Sequence, residues 1–180
     1  MARVLVPLAD GCEEMEAVII IDTFRRAKWD VVAAGLKPGL VTASRGVKLM
    51  PDATWDQVDL KSFDLIVLPG GGGGTDNLMN DERVLAALRD FNARGKIIAA
   101  ICAAPQVLQK AGVVDGKRIT CYPGVASKIA RAQRVDDIVV EDGNVITSQG
   151  PGTSFAFALA IIARVDGDAI AREVGAGMLV

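Results

Sequence analysis

A strand-like apolar run that leads directly into a cysteine is the feature that most constrains this chain. Residues 96 to 101 are apolar after Lys96, and Cys102 follows among small residues, three positions before Pro105. The next segment, 106 to 110, is compatible with a helix. This order is typical of a strained strand–nucleophile–helix turn, where only small neighbours fit. The sequence predicts a reactive thiol at Cys102; the alternative is a small, inert core residue.

The composition narrows the class of protein. With 180 residues, 51% hydrophobic and 23% charged, the chain fits one globular domain, 1–180. The net charge is −2 and no Lys/Arg-rich stretch occurs, which argues against nucleic-acid binding. No apolar run reaches the roughly 20 residues of a membrane span, and no secretory signal pattern opens the chain. We therefore expect a cytoplasmic protein without a membrane partner.

Histidine is absent, which restricts the chemistry available at Cys102. A reaction there must proceed without an imidazole base. Cys12 and Cys121 form neither a disulfide framework nor a CxxC pair with Cys102. We expect three reduced thiols, no zinc site, and packing roles for Cys12 and Cys121.

Strand-like and helical patterns alternate along the chain. Strands are predicted at 3–8, 30–34, 64–68, 96–101, 118–121, 135–140 and 145–148, a hairpin or crossing segment at 41–50, and helices at 14–27, 81–94, 106–110, 152–163 and 168–174. Several strands are continuous Val/Ile/Leu runs, which indicates an α/β fold with a mainly parallel sheet covered on both faces. The loops after Leu8, Leu68 and Ile101 should meet at the carboxyl edge of that sheet.

Five glycines, 70 to 74, follow Pro69. The run lacks the Lys-Ser/Thr ending of a phosphate loop. It is either a flexible turn or a place where the backbone approaches another group closely and offers amide donors to an oxyanion. On the second interpretation Gly70 lines a pocket, and the N–H groups of Gly71 and Ala103 are the candidate donors.

Three acidic residues, Glu13, Glu14 and Glu16, open the first predicted helix. Glu14, and as one alternative Glu13, would be a solvated side chain favoured by the helix dipole. An ionised carboxylate beside Cys102 would raise the pKa of the thiol, whereas a protonated one donates a hydrogen bond to a thiolate. We therefore predict that a desolvating pocket keeps Glu16 neutral. The helix N-terminus at Cys102 is expected to lower the thiol pKa by about one unit.

Two further segments are ambiguous. Residues 150 to 154 open a helix, so Pro151 belongs either to a simple cap or to the pocket wall. Tyr122 precedes a proline and is either part of a turn at a strand end or a pocket residue.

Together these motifs resemble the ThiJ/PfpI superfamily, and within it the DJ-one/YajL-like branch. The resemblance covers essentially the whole chain and depends on residues 8–17, 67–71, 98–105 and 147–154. It implies a flavodoxin-like three-layer sandwich and a homodimer. It also implies that Cys102 matches the family's reactive cysteine, Glu16 its protonated partner, Glu13 the other pocket acid, and Gly71 and Ala103 the amides near the sulfur.

The activity implied by the resemblance is that of a stress-response glyoxalase or deglycase that needs no cofactor. In that reading the Cys102 thiolate attacks a small reactive carbonyl or an early adduct on a protein. The alternative is an oxidation-sensing chaperone without substantial turnover. Tyr122 stands where the branch often has histidine, which argues against a peptidase and leaves proton transfer to Glu16, Glu13 or water. Arg45 is expected to reach the partner's pocket in the dimer.

Overall fold

The computed structural model describes residues 1–180, and a seven-stranded sheet forms its middle layer. The strands are β1 (Arg3–Leu8), β2 (Asp30–Gly35), β3 (Val41–Thr42), β4 (Lys48–Leu49), β5 (Ala53–Thr54), β6 (Leu65–Leu68), β7 (Ile97–Ile101), β8 (Arg118–Ile119), β9 (Gln133–Arg134), β10 (Val139–Asp142) and β11 (Val145–Ser148). The order in the main sheet is β10-β11-β7-β6-β1-β2-β5. Every neighbouring pair is parallel except the β10–β11 hairpin.

Helices cover both faces of this sheet, which confirms the predicted α/β sandwich. They are α1 (Glu14–Arg26), α2 (Gly72–Met79), α3 (Glu82–Ala93), α4 (Pro105–Ala111), α5 (Ser154–Asp166) and α6 (Asp168–Met178). One core packs α2, α3 and α4 against the sheet, and the other packs α1, α5 and α6. Because both faces are buried, a strand such as β6 is apolar at every position. None of the helices is both long and apolar enough to cross a membrane.

Helix α2 was not predicted, because it begins inside the glycine run. Glycine is a poor helix former, so propensity alone predicts a turn there. Packing explains why glycines occupy these positions. A Cβ on Gly74 would lie 2.6 Å from Cα of Cys12, and one on Gly11 would lie 2.9 Å from Cα of Gly73. The glycines let the start of α2 lie directly against the loop that follows β1.

Two other predicted elements differ from the structure. The strand predicted at 118–121 ends at Ile119 and pairs with β9 in a separate two-stranded sheet. The strand predicted from 135 begins only at Val139, after an irregular segment. The segment 41–50 does form a hairpin, in which β3 pairs antiparallel with β4.

Candidate functional site

Three loops meet at the carboxyl ends of β1, β6 and β7, as the sequence predicted. The Glu13 N–H donates to the Gly70 carbonyl over 2.9 Å, which joins the first two loops. The Cys102 N–H donates to the Ser148 carbonyl over 3.0 Å and so ties the third loop to β11. Backbone hydrogen bonds therefore fix the positions from which the candidate side chains extend.

Cys102 occupies a strained position between β7 and α4. Its φ is +64°, in the left-handed region that non-glycine residues seldom adopt. The residue is half-buried, whereas Cys12 and Cys121 are fully buried. A Cβ on Gly70 would lie 2.7 Å from Cβ of Cys102, so only glycine fits beside this turn. The geometry is that of a nucleophile raised above the edge of a sheet.

Two backbone amides serve the sulfur of Cys102. The N–H groups of Gly71 and Ala103 lie close enough to act on the thiol, and both lower its pKa. Gly71 has φ +86°, and a Cβ there would lie 2.4 Å from the Gly11 carbonyl oxygen. Glycine is therefore required at 71 both for its conformation and for space.

Glu16 projects from α1 and is completely buried. Its Oε2 accepts a 2.7 Å hydrogen bond from the Gly70 N–H, while Oε1 is buried and receives no N–H or O–H donor. Burial raises the pKa of Glu16 to about 7, against the lowering effect of its hydrogen bonds with Gly70 and Cys102. A buried oxygen without a hydrogen-bond partner is where a carboxyl proton would reside. The Cys102 side chain lies close enough to affect the pKa of this carboxyl.

The expected lowering of the Cys102 pKa is wrong for the ionised form of Glu16. Burial, and after it the negative charge of Glu16, raises the pKa of the Cys102 thiol to about 12, more than the Gly71 and Ala103 amides lower it. The negative charge of either group opposes ionisation of the other, so the two side chains titrate as a coupled pair.

The first turn of α1 also differs from expectation. Glu14 is buried rather than solvated, with 7% of its surface exposed. Burial raises its pKa, but hydrogen bonds from its own N–H, the Ser44 hydroxyl and the Arg45 N–H outweigh burial and hold the pKa below its ordinary value. Glu13 is half-buried, and its Oε2 lies 2.8 Å from Oγ of Ser44.

Tyr122 and Pro151 lie at the border of the site. The Tyr122 N–H donates to the Cys102 carbonyl over 2.8 Å. A Cβ on Gly124 would lie 2.9 Å from the Tyr122 ring, and one on Gly150 would lie 3.6 Å from it. Tyr122 is 49% exposed, and its ring lies near the turn Pro151–Thr153.

Arg45 stands apart from the other candidates within one chain. Its side chain is exposed and forms no hydrogen bond or ion pair, and only its N–H contacts Glu14. Sequence reasoning missed Ser44 and Ser148, because their roles depend on the β3–β4 hairpin and on the pairing of β11 with β7. No local motif indicates either role.

A separate cavity of about 340 Å³ opens beyond β1 and β2, beside α2. Its walls include Asp10, Leu36, Lys37, Asn77 and Arg83, and no residue of the Cys102 site lines it. This cavity therefore does not indicate where the chemistry of the Cys102 site takes place. Clusters of three or more metal-ligating side chains are absent from the structure.

The sequence and the fold both match known proteins. The model of the DJ-1/PfpI family matches residues 2–164. Protein dj-1beta of Drosophila melanogaster is 46% identical over 179 residues, which are 98% of this chain and 96% of that protein. The crystal structure of Drosophila DJ-1beta superposes with a TM-score of 0.96 at 45% identity, covering 99% of this chain and 98% of the other.

Two further relatives extend the comparison. DJ-1 homolog B of Arabidopsis thaliana is 46% identical over 96% of this chain, which spans only 39% of that longer protein. Glutathione-independent glyoxalase DJR-1.2 of Caenorhabditis elegans is 36% identical over 168 residues, 92% of this chain and 89% of that protein.

Proposed function

Because the chain belongs to the DJ-1/PfpI family, we propose that it converts small reactive dicarbonyls, or their early adducts on thiols and amines, into hydroxy acids without a cofactor. The observation that carries this proposal is the pairing of half-buried Cys102 with fully buried Glu16, with two backbone amides near the sulfur. A relative named as a glutathione-independent glyoxalase supports it.

The first step uses the pair in its thiolate and carboxylic-acid form. The Cys102 sulfur attacks the aldehyde carbon of methylglyoxal, a C–S bond forms, and the carbonyl electron pair moves to oxygen. The Gly71 and Ala103 amides stabilise the developing oxyanion. Glu16 gives its proton to that oxygen, which leaves a hemithioacetal and a Glu16 carboxylate.

The second step is an internal oxidation and reduction. The Glu16 carboxylate removes the proton from the former aldehyde carbon and returns it to the neighbouring carbon, while a second carrier moves the hydroxyl proton between the two oxygens. The aldehyde carbon is thereby oxidised to a thioester and the ketone carbon reduced to an alcohol. Water then hydrolyses the thioester: its hydroxyl becomes part of the lactate carboxyl group, its other proton returns to Glu16, and Cys102 leaves as the thiolate that began the cycle. The reaction is redox-neutral overall, so it requires no external oxidant or cofactor.

Lactate formation from methylglyoxal tests this function directly. We expect lactate from the native protein and from Cys121→Ser, which changes a fully buried thiol outside the site, and none above buffer from Cys102→Ser. Consumption of methylglyoxal alone is insufficient, because surface arginines and lysines also consume it. If native turnover does not exceed that of Cys102→Ser, the enzyme proposal is wrong.

An oxidation sensor is the second candidate, favoured by the exposure of the thiols. Cys102 is the only half-exposed cysteine, and the same amides that stabilise an oxyanion would stabilise a sulfinate. In this role the oxidised form would act as a chaperone for client proteins. The sensor and the enzyme use one thiol and are not exclusive.

The proposed setting is a cytoplasmic homodimer. Large apolar side chains are exposed on α1 and the adjacent β3–β4 hairpin region: Met15, Val18, Val47 and Met50. A second copy of the chain would bury them. In that dimer Arg45 would be available to the partner's pocket, as the resemblance implied.

A further inference from the structure

The backbone of Cys102 is held on both sides by residues from other parts of the chain. Its N–H donates to the Ser148 carbonyl over 3.0 Å, and its carbonyl accepts from the Tyr122 N–H over 2.8 Å. We call these two hydrogen bonds the Cys102 clamp. Cys102 has φ +64°, a conformation that non-glycine residues keep only where the surrounding structure fixes it. The clamp therefore holds the strained turn that presents the thiol.

The Ser148 side of the clamp is fixed by the hydroxyl group of the same residue. Ser148 ends β11 and is fully buried. Its Oγ donates to the Ile138 carbonyl over 2.6 Å and lies 2.7 Å from Oγ1 of Thr153. Because its one hydrogen goes to Ile138, Thr153 supplies the hydrogen of the second contact. The hydroxyl groups thus form a chain that runs from Thr153 through Ser148 to the carbonyl of Ile138.

The other contacts of Thr153 agree with this direction. The Gly150 carbonyl lies 2.9 Å from Oγ1 of Thr153, but it already accepts the Thr153 N–H over 2.9 Å. The Gly150 N–H donates to Oγ1 of Thr153 over 3.1 Å. Each of the two hydroxyl groups in the chain therefore accepts one hydrogen bond and donates another. In such a chain each hydrogen bond strengthens the next, because the groups polarise one another.

The same turn also lies against the Tyr122 side of the clamp. A Cβ on Gly150 would lie 3.6 Å from Cδ2 of Tyr122, which is ordinary van der Waals contact. On the opposite edge of the ring, a Cβ on Gly124 would lie 2.9 Å from Cε1. The segment 150–153 is thus close to both residues that hold the backbone of Cys102.

We propose that Thr153 and Ser148 are positioning residues, which act through the Cys102 clamp to keep the thiol beside its two backbone amides. Their hydroxyl groups bond to each other and to backbone, and they reach the thiol only through the backbone of Cys102. For the reaction itself this inference rests on the proposed function. The reactivity of the thiol, however, can be measured without any turnover.

Loss of the Thr153 hydroxyl should be felt at the sulfur. Oγ of Ser148 would lose its donor, so the carbonyl that holds the Cys102 N–H would be fixed less firmly. The turn could then relax from φ +64°, and the sulfur would move relative to the Gly71 and Ala103 amides. A displacement of about 1 Å at a reacting group can lower a rate by about 100-fold. A hydroxyl with a purely structural role would lower the free energy of unfolding and leave the thiol unchanged.

Hydrogen exchange at the Cys102 amide tests the clamp directly. Thr153→Val removes the hydroxyl and keeps the branched shape, whereas Thr153→Ser keeps the hydroxyl. Relative to the amides of β1, which correct for any loss of global stability, we expect the Cys102 amide to exchange about tenfold faster in Thr153→Val and in Ser148→Ala. In Thr153→Ser it should exchange at the native rate. Native exchange of this amide in both Thr153→Val and Ser148→Ala would overturn the proposal.

Thr23→Val is the matched control for the loss of a hydroxyl group. Thr23 is fully buried near the end of α1, and its hydroxyl bonds to the Met178 sulfur on α6. This variant should lower the free energy of unfolding and leave the Cys102 amide at its native rate. If Thr23→Val accelerates that amide as much as Thr153→Val does, the effect is a general loss of stability and the clamp is disproved.

The reactivity of Cys102 tests the consequence for the thiol. Alkylation by iodoacetamide, followed by mass spectrometry of the Cys102 peptide, should be about tenfold slower in Thr153→Val and native in Thr153→Ser. Lactate formation from methylglyoxal should show a lower kcat with little change in KM in Thr153→Val. None of these substitutions changes a charge, so Glu16 and Arg45 act equally in all the variants.

The two measurements separate the positioning role from the proposed function. Alkylation of Thr153→Val at the native rate overturns the role of the hydroxyl chain. If Thr153→Val slows alkylation but even the native protein forms no lactate, the proposed function is wrong and the positioning role stands.

Discussion

The Gly70 N–H donates a 2.7 Å hydrogen bond to Oε2 of Glu16, and Oε1 of the same carboxyl receives no such donor. A carboxylate usually accepts several hydrogen bonds when it is buried in its charged form. A carboxyl group in which one oxygen accepts a hydrogen bond and the other accepts none therefore fits the protonated form better than the ionised form. In that form Glu16 lacks the negative charge that raises the pKa of the Cys102 thiol, so the protonation of one side chain controls the reactivity of the other.

The pH dependence of Cys102 alkylation identifies which group holds the proton. If Glu16 holds it, the first proton lost from the pair is that of the thiol, and the native midpoint lies below the pKa that burial and a charged Glu16 give Cys102. The midpoint should then rise in Glu16→Gln, since burial still disfavours the thiolate and an amide is a weaker donor than a carboxylic acid. If the proton stays on sulfur, Glu16→Gln removes a repelling charge and the midpoint falls instead. The direction of the shift in the alkylation midpoint decides between a thiolate beside a carboxylic acid and a thiol beside a carboxylate. Glu13→Gln, measured in parallel, shows whether the effect is specific to Glu16.

Glu16 should also make the stability of the protein pH-dependent. Its folded-state pKa is raised from 4.5 to about 7, so the folded state binds more protons than the unfolded state between these values. Stability is then fully present below pH 4.5 and falls as the pH rises through 7, by on the order of 3 kcal/mol. The free energy of unfolding of Glu16→Gln, measured in urea, should not show this decline. Plotted against pH, it should therefore cross the curve of the native protein. Equal slopes for the two proteins would contradict the buried, protonated Glu16.

The sequence was sufficient for the α/β architecture and for the central cysteine because both depend on local patterns. Continuous apolar strands require a sheet buried on both faces, and small residues around Cys102 indicate the turn. Helix α2 could not be predicted from the sequence. Its glycines form a helix because the backbone of residues 11 and 12 packs against them, which is a tertiary contact. Ser44 and the burial of Glu14 were missed for a similar reason: the hairpin that covers them is a tertiary contact.

Cys102 should be the cysteine that oxidises first. It is half-exposed with two amides at its sulfur, whereas Cys12 and Cys121 are completely buried. After mild peroxide treatment, mass spectrometry should find sulfinate at Cys102 well before any oxidation of the other two. Similar rates at the three positions would end the sensor proposal.

Gly71 and Gly72 offer a matched pair of alanine substitutions. Gly71→Ala places a Cβ 2.4 Å from the Gly11 carbonyl at φ +86°, so we expect a loss of about 2 kcal/mol or more in the free energy of unfolding. It should also slow alkylation of Cys102, because the amide at 71 moves. Gly72→Ala has open space and no unusual φ, and α2 should gain about 0.5 kcal/mol. Thermal unfolding of both variants checks this, and equal effects would contradict the requirement for glycine at 71.

The exposed apolar patch on α1 predicts how the proposed dimer can be broken. Val18 is 49% exposed and lies beside the exposed Met15 on this helix. Clustered, exposed apolar side chains of this kind indicate a surface that another protein chain covers. Val18→Glu would place an unpaired charge within a contact between copies, which should weaken association by about 2 kcal/mol or more, or roughly 30-fold in Kd. Ile138→Glu is the matched control, since Ile138 is 56% exposed outside the patch. In sedimentation at micromolar concentration we expect dimers for the native chain and the control, and monomers for Val18→Glu. A monomeric native chain, or equal behaviour of both variants, would show that α1 does not form the contact.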